Sequence, residues 1–237
     1  MLTTLRDDFR SQGDPERAKG TMAFFKTGPG QYGEGDKFLG LTVPQTRAFL
    51  PRTDSLTEKD VLALLHSEWH EERLLALLAL VRRFEKARKD AATQERIFDL
   101  YLANTRWINN WDLVDTSAPQ IVGGWLLNRD RSLLAKLVVS SSLWERRIAV
   151  LATFTFIRAG QFEDTTRLMR QLLTDKHDLM HKACGWMLRE MGKRDEAVLT
   201  TFLDAHSSLM PRTMLRYAIE RLTAEQRTRY LSRSPNS

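Results

Sequence analysis

Residues 144–151, Trp-Glu-Arg-Arg-Ile-Ala-Val-Leu, begin a helical segment whose pattern returns twice further along the chain. Residues 180–187, Met-His-Lys-Ala-Cys-Gly-Trp-Met, and residues 210–217, Met-Pro-Arg-Thr-Met-Leu-Arg-Tyr, combine the same features. Each stretch starts with a large apolar side chain and carries a basic residue soon after it. Recurrence at an interval of about 30–40 residues is typical of solenoid proteins built from stacked helix pairs.

Two earlier stretches of the chain are similar to these helix starts. Residues 69–73, Trp-His-Glu-Glu-Arg, precede an apolar run, and residues 111–115, Trp-Asp-Leu-Val-Asp, carry an acid where the other copies carry a base. The basic residues at the equivalent positions are Arg73, Arg147, Lys182 and Arg212. The positive end of a helix dipole disfavours cations, so their repeated placement near helix N-termini predicts a surface that faces an anion. In the alternative interpretation, each base pairs with a nearby acid such as Glu71, Glu72 or Glu145.

Helical periodicity extends over most of the chain. Apolar residues recur at three- and four-residue spacing in the segments 2–12, 15–26, 57–66, 70–87, 92–104, 111–128, 131–139, 144–158, 162–174, 178–191, 195–206 and 211–222. Strands are not expected, because sustained apolar–polar alternation and short hairpin turns are missing. We predict an all-α protein, a HEAT-like or armadillo-like α-solenoid of stacked helix pairs with a basic concave groove. Residues 1–231 are expected to form a single domain, and residues 232–237 a disordered tail.

The composition of the chain narrows the classes of partner. Of 237 residues, 42% are hydrophobic and 28% are charged, as in an ordinary globular protein. The 36 basic and 30 acidic residues leave a net charge of +6, which favours an anionic partner such as nucleic acid. Cys184 is the one cysteine, so an intrachain disulfide and a thiolate metal cluster are excluded. We expect a cytoplasmic protein with no membrane partner, because the sequence has no secretory signal and no apolar run of spanning length.

Residues 107–119, Trp-Ile-Asn-Asn-Trp-Asp-Leu-Val-Asp-Thr-Ser-Ala-Pro, are the strongest candidate for a functional site. Asn110 is a favourable helix N-cap, after which Trp111 and Asp115 lie one turn apart on the same face. Pro119 removes the N–H that would bond the Asp115 carbonyl, so the helix is expected to be short or kinked there. An indole beside a carboxylate suits a cationic ligand. In the alternative interpretation, the tryptophan belongs to the core and an aspartate caps the helix.

Trp186 is predicted to share the basic surface, because it follows Lys182 by one helical turn. The alternative is again a core position, since most tryptophans are largely buried. An acid such as Asp115 on a basic surface is a local mismatch of the kind expected at functional sites. The two i,i+4 histidine pairs, His66/His70 and His177/His181, lack the glutamate of a zinc-protease motif. We interpret these four histidines as solvated or groove-lining, and we expect neither a metal nor an organic cofactor.

Several motifs taken together resemble the AlkD-type DNA alkylation-repair glycosylases, a family of HEAT-like repeat proteins. The motifs of this chain that carry the resemblance are Phe38-Leu-Gly40, Trp111-Asp-Leu-Val-Asp115, Leu143-Trp-Glu-Arg-Arg147, Lys182-Ala-Cys-Gly-Trp186 and Met210-Pro-Arg-Thr-Met-Leu-Arg216. The resemblance covers roughly residues 5–225. It implies hydrolysis of the N-glycosidic bond of cationic N3- or N7-alkylated purines in double-stranded DNA, with the lesion kept in the duplex.

The resemblance also implies roles for individual residues. Asp115 matches the catalytic carboxylate, Trp111 and Trp186 match an aromatic pair, and Arg147 matches an arginine that contacts the DNA backbone. Phe25 stands where a family member has a tyrosine, so the ring contact is retained and the hydroxyl is lost. The protein is expected to act as a monomer without an obligate protein partner. The alternatives are a non-catalytic HEAT-repeat protein that binds DNA structures and a protein-binding α-solenoid.

Overall fold

The computed structural model describes residues 1–232, and over this range the chain is helical. The α-helices are α1 Leu2–Ser11, α2 Pro15–Phe24, α3 Val43–Ala48, α4 Glu58–Leu65, α5 His70–Lys86, α6 Ala91–Ala103, α7 Trp111–Asp115, α8 Gly124–Leu126, α9 Ser132–Leu137, α10 Leu143–Arg158, α11 Glu163–Gln171, α12 Asp178–Gly192, α13 Glu196–His206, α14 Arg212–Ala218 and α15 Ala224–Leu231. In this described range, β-structure is limited to one isolated bridge between Lys37 and Trp69. The predicted all-α fold class is confirmed. None of the helices in the same range is long and apolar enough to cross a membrane.

Local sequence accounts for many of the helix starts. Thr57 begins α4 with a capping box, in which its hydroxyl accepts from the Asp60 N–H and the Asp60 carboxylate accepts from the Thr57 N–H. Thr223 and Gln226 form the same arrangement before α15. Asp14 caps α2, where a proline occupies the first helical position and needs no N–H partner.

The chain packs as two compact units, residues 1–117 and residues 118–237. In the first unit, α5 is the central helix and packs against α3, α4, α6 and α7. Its residues from Leu74 to Val81 are all buried, so this part of α5 is enclosed on every side. The prediction of one domain over residues 1–231 stays a prediction. The predicted disordered tail, residues 232–237, lies outside the described residues except for Ser232.

In the second unit, helix pairs stack in chain order. Helix α12 lies between α10 and α14, while α11 contacts α10 and α12 and α13 contacts α12. The three helices α10, α12 and α14 are those that begin with the recurring sequence pattern. They carry Arg147, Lys182 and Arg212 in their N-terminal parts. The stacking of helix pairs inferred from the sequence period is therefore confirmed within this unit.

The helical segment predicted over 111–128 is not continuous, and its interruption lies where Pro119 was expected to shorten or kink the helix. Helix α7 ends at Asp115, a π-helix follows over Pro119–Gly123, and α8 covers only Gly124–Leu126. Pro119 cannot donate a backbone hydrogen bond, and its own carbonyl accepts from the Thr155 hydroxyl at 2.5 Å. The break at Asp115 was expected from Pro119, while the π-helix was not.

Close packing of α12 on α14 depends on Gly185. A Cβ atom at this position would lie 2.5 Å from the Met214 carbonyl oxygen and 2.5 Å from the Tyr217 Cβ. Gly185→Ala should therefore lower the free energy of unfolding by about 1–3 kcal/mol, measured by urea denaturation. The matched control is Gly20→Ala in α2, where a Cβ meets nothing within 4 Å and helix propensity should add about 0.5–1 kcal/mol. Equal effects of the two substitutions would contradict this packing argument.

Candidate functional site

Helix α7 places the two residues singled out by the sequence, Trp111 and Asp115, at its two ends. Asn110 is buried, and its side-chain oxygen accepts from the Trp111 N–H at 2.8 Å, which starts the helix. Asp112 occupies the first turn, where the positive end of the helix dipole favours an acid. Trp111 and Asp115 are both half-buried. The site therefore offers an indole and a carboxylate that remain accessible to a ligand.

An aromatic cluster surrounds Trp111. Phe25 stacks on the Trp111 ring, with centroids 5.2 Å apart and an angle of 11° between the planes. Phe25 also contacts two further rings: its centroid lies 5.1 Å from that of Phe38 and 5.0 Å from that of His70. Phe24 meets Trp111 edge-on at 6.0 Å and is 65% exposed. The structure thus brings the predicted residues Phe25 and Trp111 together, and Phe24 extends the cluster to the surface.

Below this cluster lies a buried polar network centred on Asp36. Its Oδ1 accepts from Arg73 Nη2 at 2.7 Å, and its Oδ2 accepts from His70 Nδ1 at 3.2 Å. The side-chain amides of Asn109 and Asn110 each donate to the same carboxylate at 3.4 Å. Asp36 therefore joins the segment after α2 to the start of α5 and to the residues that precede α7.

His70 links Asp36 to α7. Its Nε2 donates to Asp112 Oδ2 at 2.8 Å, and its ring stacks on Phe38 with centroids 4.5 Å apart. Burial lowers the pKa of His70, but the carboxylates of Asp112 and Asp36 outweigh it and raise the pKa to about 9. An imidazolium donates from both ring nitrogens, which matches the two carboxylate contacts. At neutral pH, His70 is therefore a buried cation between two acids.

Asp36 remains ionised in this environment. Burial raises its pKa, but the hydrogen bond from His70 and the charge of Arg73 outweigh that effect and hold the pKa below its usual value. Two carboxylates and two cations, Asp36, Asp112, His70 and Arg73, thus share one small region. The four formal charges balance, so their mutual attraction offsets the cost of removing them from water.

The glycine-rich segment between α2 and α3 is fixed by Glu71, an acid in the first turn of α5. The buried Glu71 carboxylate accepts backbone N–H bonds from Leu39, Gly40 and Leu41 at 2.8–3.2 Å. Gly40 has φ +82°, and a Cβ there would lie 2.1 Å from the Asp14 carbonyl oxygen, so this position requires glycine. Asp36 and Phe38 belong to this segment, so its fixed path places both side chains against His70.

Asp115 lies near the buried hydroxyl of Tyr101. Ser117 donates to the Leu113 carbonyl at 2.5 Å, so the Tyr101 hydroxyl donates to Ser117 across 3.0 Å. Burial raises the pKa of Tyr101 strongly, and the negative charge of Asp115 raises it further. Tyr101 therefore stays neutral, and it contributes a fixed dipole at the end of α7.

The prediction that Arg73 faces a ligand is wrong. Its side chain is 3% exposed and is bound by Asp36 and by the Ser67 carbonyl at 3.0 Å. The nearest acids in sequence, Glu71 and Glu72, have other partners. Glu72 is fully buried and accepts from Arg6 and Arg10 of α1 at 3.1 and 2.6 Å. Arg73 thus pairs with an acid of the protein itself, as in the alternative interpretation, but that acid is Asp36 and not one of its sequence neighbours Glu71 and Glu72.

In the second unit, the predicted basic residues differ in accessibility. Arg147 is 5% exposed and donates to the Leu179 carbonyl at 2.7 Å, so the expectation that its side chain lines an open surface is wrong. Lys182 pairs with Asp178 at 2.8 Å and keeps 42% of its side chain exposed. Arg212 is half-buried and donates to the Leu231 carbonyl at 2.8 Å. Lys182 and Arg212 thus remain available at the surface of this unit.

Trp186, also in the second unit, is half-buried on α12. Its indole N–H donates to Glu190 at 3.2 Å, and the centroid of its ring lies 5.8 Å from that of Phe154.

Cys184 on the same helix is buried, and burial raises the pKa of its thiol. Over residues 1–232, no group of three or more His, Cys, Asp or Glu side chains is arranged to hold a metal ion.

Sequence reasoning missed Asp36, His70 and Asp112 as parts of the site. His70 was expected to be solvated or groove-lining, whereas it is 2% exposed. The sequence did contain an indication that His70 is buried, because the eight residues that follow Trp69-His-Glu-Glu-Arg73 are all apolar. Polar residues at the start of such an enclosed helix are themselves buried and require polar partners.

Comparison with known proteins identifies a family and a solved structure of similar fold. A family model described as DNA alkylation repair enzyme matches residues 5–222. The solved structure of a predicted DNA alkylation repair enzyme from Enterococcus faecalis superimposes with a TM-score of 0.69 at 16% sequence identity, covering 90% of this chain and 98% of that one. No curated protein gives a significant match.

Proposed function

Because the chain belongs to the DNA alkylation repair enzyme family, we propose that it hydrolyses the N-glycosidic bond of cationic alkylated purines in duplex DNA. The family gives the role in alkylation repair and the DNA partner. The glycosylase reaction and its substrates, N3-alkyladenine and N7-alkylguanine, are our inference. The observation that carries it is the half-buried Asp115 carboxylate, one helical turn from a Trp111 ring that stacks on Phe25.

The proposed reaction requires no general acid. An alkylated purine already bears a positive charge, so the C1′–N bond breaks with its electron pair moving to the base, which leaves as a neutral molecule. The sugar is left as an oxocarbenium-like cation, as in other glycosidic cleavages. Water then adds to C1′ and releases a proton to solvent or to Asp115. The products are an abasic site and the free alkylated base.

Asp115 suits the electrostatic demand of this transition state. A carboxylate about 4 Å from a developing cation contributes about 4 kcal/mol at an effective dielectric constant of about 20. Transition-state arithmetic converts that energy into a rate factor of about a thousand. The same carboxylate can orient the attacking water.

Trp111, supported by the stacked Phe25 ring, is proposed to select charged lesions, and Trp186 is proposed as a second aromatic contact of the lesion nucleotide. Indole and phenyl faces attract cations by about 0.5–2 kcal/mol relative to neutral groups. Normal bases and uncharged lesions lack both this attraction and the weakened glycosidic bond. We therefore propose that uncharged lesions are poor substrates and that the lesion is recognised without being flipped out of the duplex.

Lys182 and Arg212 are proposed to contact DNA phosphates. Each phosphate contact that releases a counterion steepens the dependence of log K on log salt by about 0.9. Lys182→Gln should reduce this slope by about one and weaken binding to any duplex sequence, measured by fluorescence anisotropy between low and moderate salt. Lys136→Gln on α9, an exposed lysine outside the recurring series, is the control. An unchanged slope for Lys182→Gln would remove it from the phosphate contacts.

The test of the proposed function is release of N7-methylguanine from methylated duplex DNA. Release above the spontaneous rate, with little release of hypoxanthine from a matched inosine duplex, is the expected result. Tight, salt-dependent binding to duplex without release would instead favour a non-catalytic DNA-binding protein. Absence of both binding and release would favour a protein-binding solenoid.

A further inference from the structure

One side chain, His70, contacts both parts of the candidate site. Its Nε2 lies 2.8 Å from Asp112, and its ring centroid lies 5.0 Å from that of Phe25. Asp112 belongs to the helix that ends at Asp115, and Phe25 stacks on Trp111. The carboxylate and the aromatic surface of the site therefore share a single support at the first residue of α5.

We propose that His70 is a positioning residue for the reaction, which orients α7 through Asp112 and the Trp111 ring through Phe25. The kinetic part of this inference depends on the proposed function, whereas its structural part does not. His70 is itself held in place, because its Nδ1 donates to Asp36 and Asp36 is bound by Arg73 at 2.7 Å. The imidazole therefore fixes Asp112 and Phe25 relative to the buried helix α5.

Helix α7 needs such an external support. It has only five residues, and helices of this length are not stable by their backbone hydrogen bonds alone. Its N-cap, Asn110, is tied to Asp36, so both anchors of α7 lead back to the same network. Among residues 1–232, Asp112 Oδ1 is buried without a hydrogen-bond partner, which leaves the contact of Oδ2 with His70 to hold this carboxylate.

The kinetic test compares His70→Gln with wild type under single-turnover conditions at saturating enzyme. Glutamine carries both of its N–H donors on one nitrogen, so it cannot span Asp36 and Asp112 as the two ring nitrogens of His70 do, and α7 and Phe25 should shift. The rate of N7-methylguanine release should fall about tenfold to a hundredfold, as expected for a displacement of about 1 Å in a catalytic group. Affinity for undamaged duplex should not change. A rate equal to wild type would overturn the proposal.

The matched control is His66→Gln. His66 is exposed, its Nε2 lies 2.6 Å from Asn104 Oδ1, and its ring stacks on Trp107 at 5.0 Å. It therefore shares with His70 a side-chain hydrogen bond and an aromatic contact, but it touches neither α7 nor Phe25. Release by His66→Gln should match wild type. An equal loss in both variants would overturn the specific role of His70.

A spectroscopic readout keeps the proposal falsifiable if His70→Gln is too unstable to assay. The milder Asp112→Asn variant weakens only the contact to α7, because an uncharged amide oxygen accepts from His70 less strongly than a carboxylate. Asp112→Glu, which restores the carboxylate, should recover part of the lost rate. The indole ¹H–¹⁵N signal of Trp111, assigned by its loss in Trp111→Phe, should shift in His70→Gln and Asp112→Asn but not in His66→Gln. An unmoved signal would overturn the positioning role. If wild type releases no base, the proposed function fails, and this signal alone decides the structural claim.

Discussion

Asp115→Asn should reduce the single-turnover rate of N7-methylguanine release about a thousandfold. The substitution keeps the size of the side chain, removes its charge and replaces one acceptor oxygen with an N–H donor. The loss therefore measures the contribution of the carboxylate to the transition state, by charge and by orientation of the attacking water together. Because Asp115 carries a negative charge, its removal should leave duplex affinity unchanged or slightly increased. The rate is measured with excess enzyme on methylated duplex, after binding has been shown by anisotropy at the same salt concentration.

Asp99→Asn is the control for this substitution. Asp99 is exposed on α6 of the same unit, so the chemical change and the change in net charge are the same. Release by this variant should equal that of wild type. If Asp115→Asn also retained full activity, the glycosylase assignment would stand, but a different group would have to stabilise the transition state. A loss of DNA binding in Asp115→Asn would instead indicate a structural role for the acid.

The helices were predictable wherever one side of the helix faces the core. The segment predicted over 144–158 is observed as Leu143–Arg158, and that predicted over 178–191 as Asp178–Gly192. Burial of apolar side chains at helical spacing fixes such elements, and the sequence contains that spacing. The helix predicted over 111–128 is interrupted at Thr116–Ser117, because Pro119 has no N–H to bond the Asp115 carbonyl, while the apolar pattern and a helical backbone both continue after it.

The site was predictable only in its local part. Trp111 and Asp115 lie within one helical turn, so their proximity follows from spacing alone. Asp36 and His70 are separated by 34 positions and meet through a segment without regular structure, whose path no periodicity describes. Arg73 binds an anion, as its position near a helix N-terminus predicts, but that position does not distinguish an external phosphate from the internal carboxylate of Asp36. Arg147 likewise has a partner inside the protein, because its guanidinium donates to the Leu179 backbone carbonyl.

Asp36→Asn should lower the free energy of unfolding by about 3–5 kcal/mol at pH 7, because it leaves the buried Arg73 without its counter-ion. Asp8→Asn is the matched control. Asp8 pairs with Arg52 at 2.7 Å, the same distance as Asp36 to Arg73, but its side chain is 52% exposed whereas that of Asp36 is 5% exposed. An exposed pair of this kind contributes about 0–1 kcal/mol. Urea denaturation of the three proteins measures the difference, and similar losses would contradict the assignment of Asp36 as a buried hub.

The pH dependence of stability provides a second check on the same network. The pKa of His70 rises from 6.5 to about 9 on folding, so its contribution is fully present below pH 6.5 and is lost as the pH rises through 9. For wild type, this loss should reach about 3 kcal/mol. Asp36→Asn removes one of the two carboxylates that raise this pKa, so its stability should fall less over the same range. A parallel decline in both proteins would mean that Asp36 does not stabilise the charged form of His70.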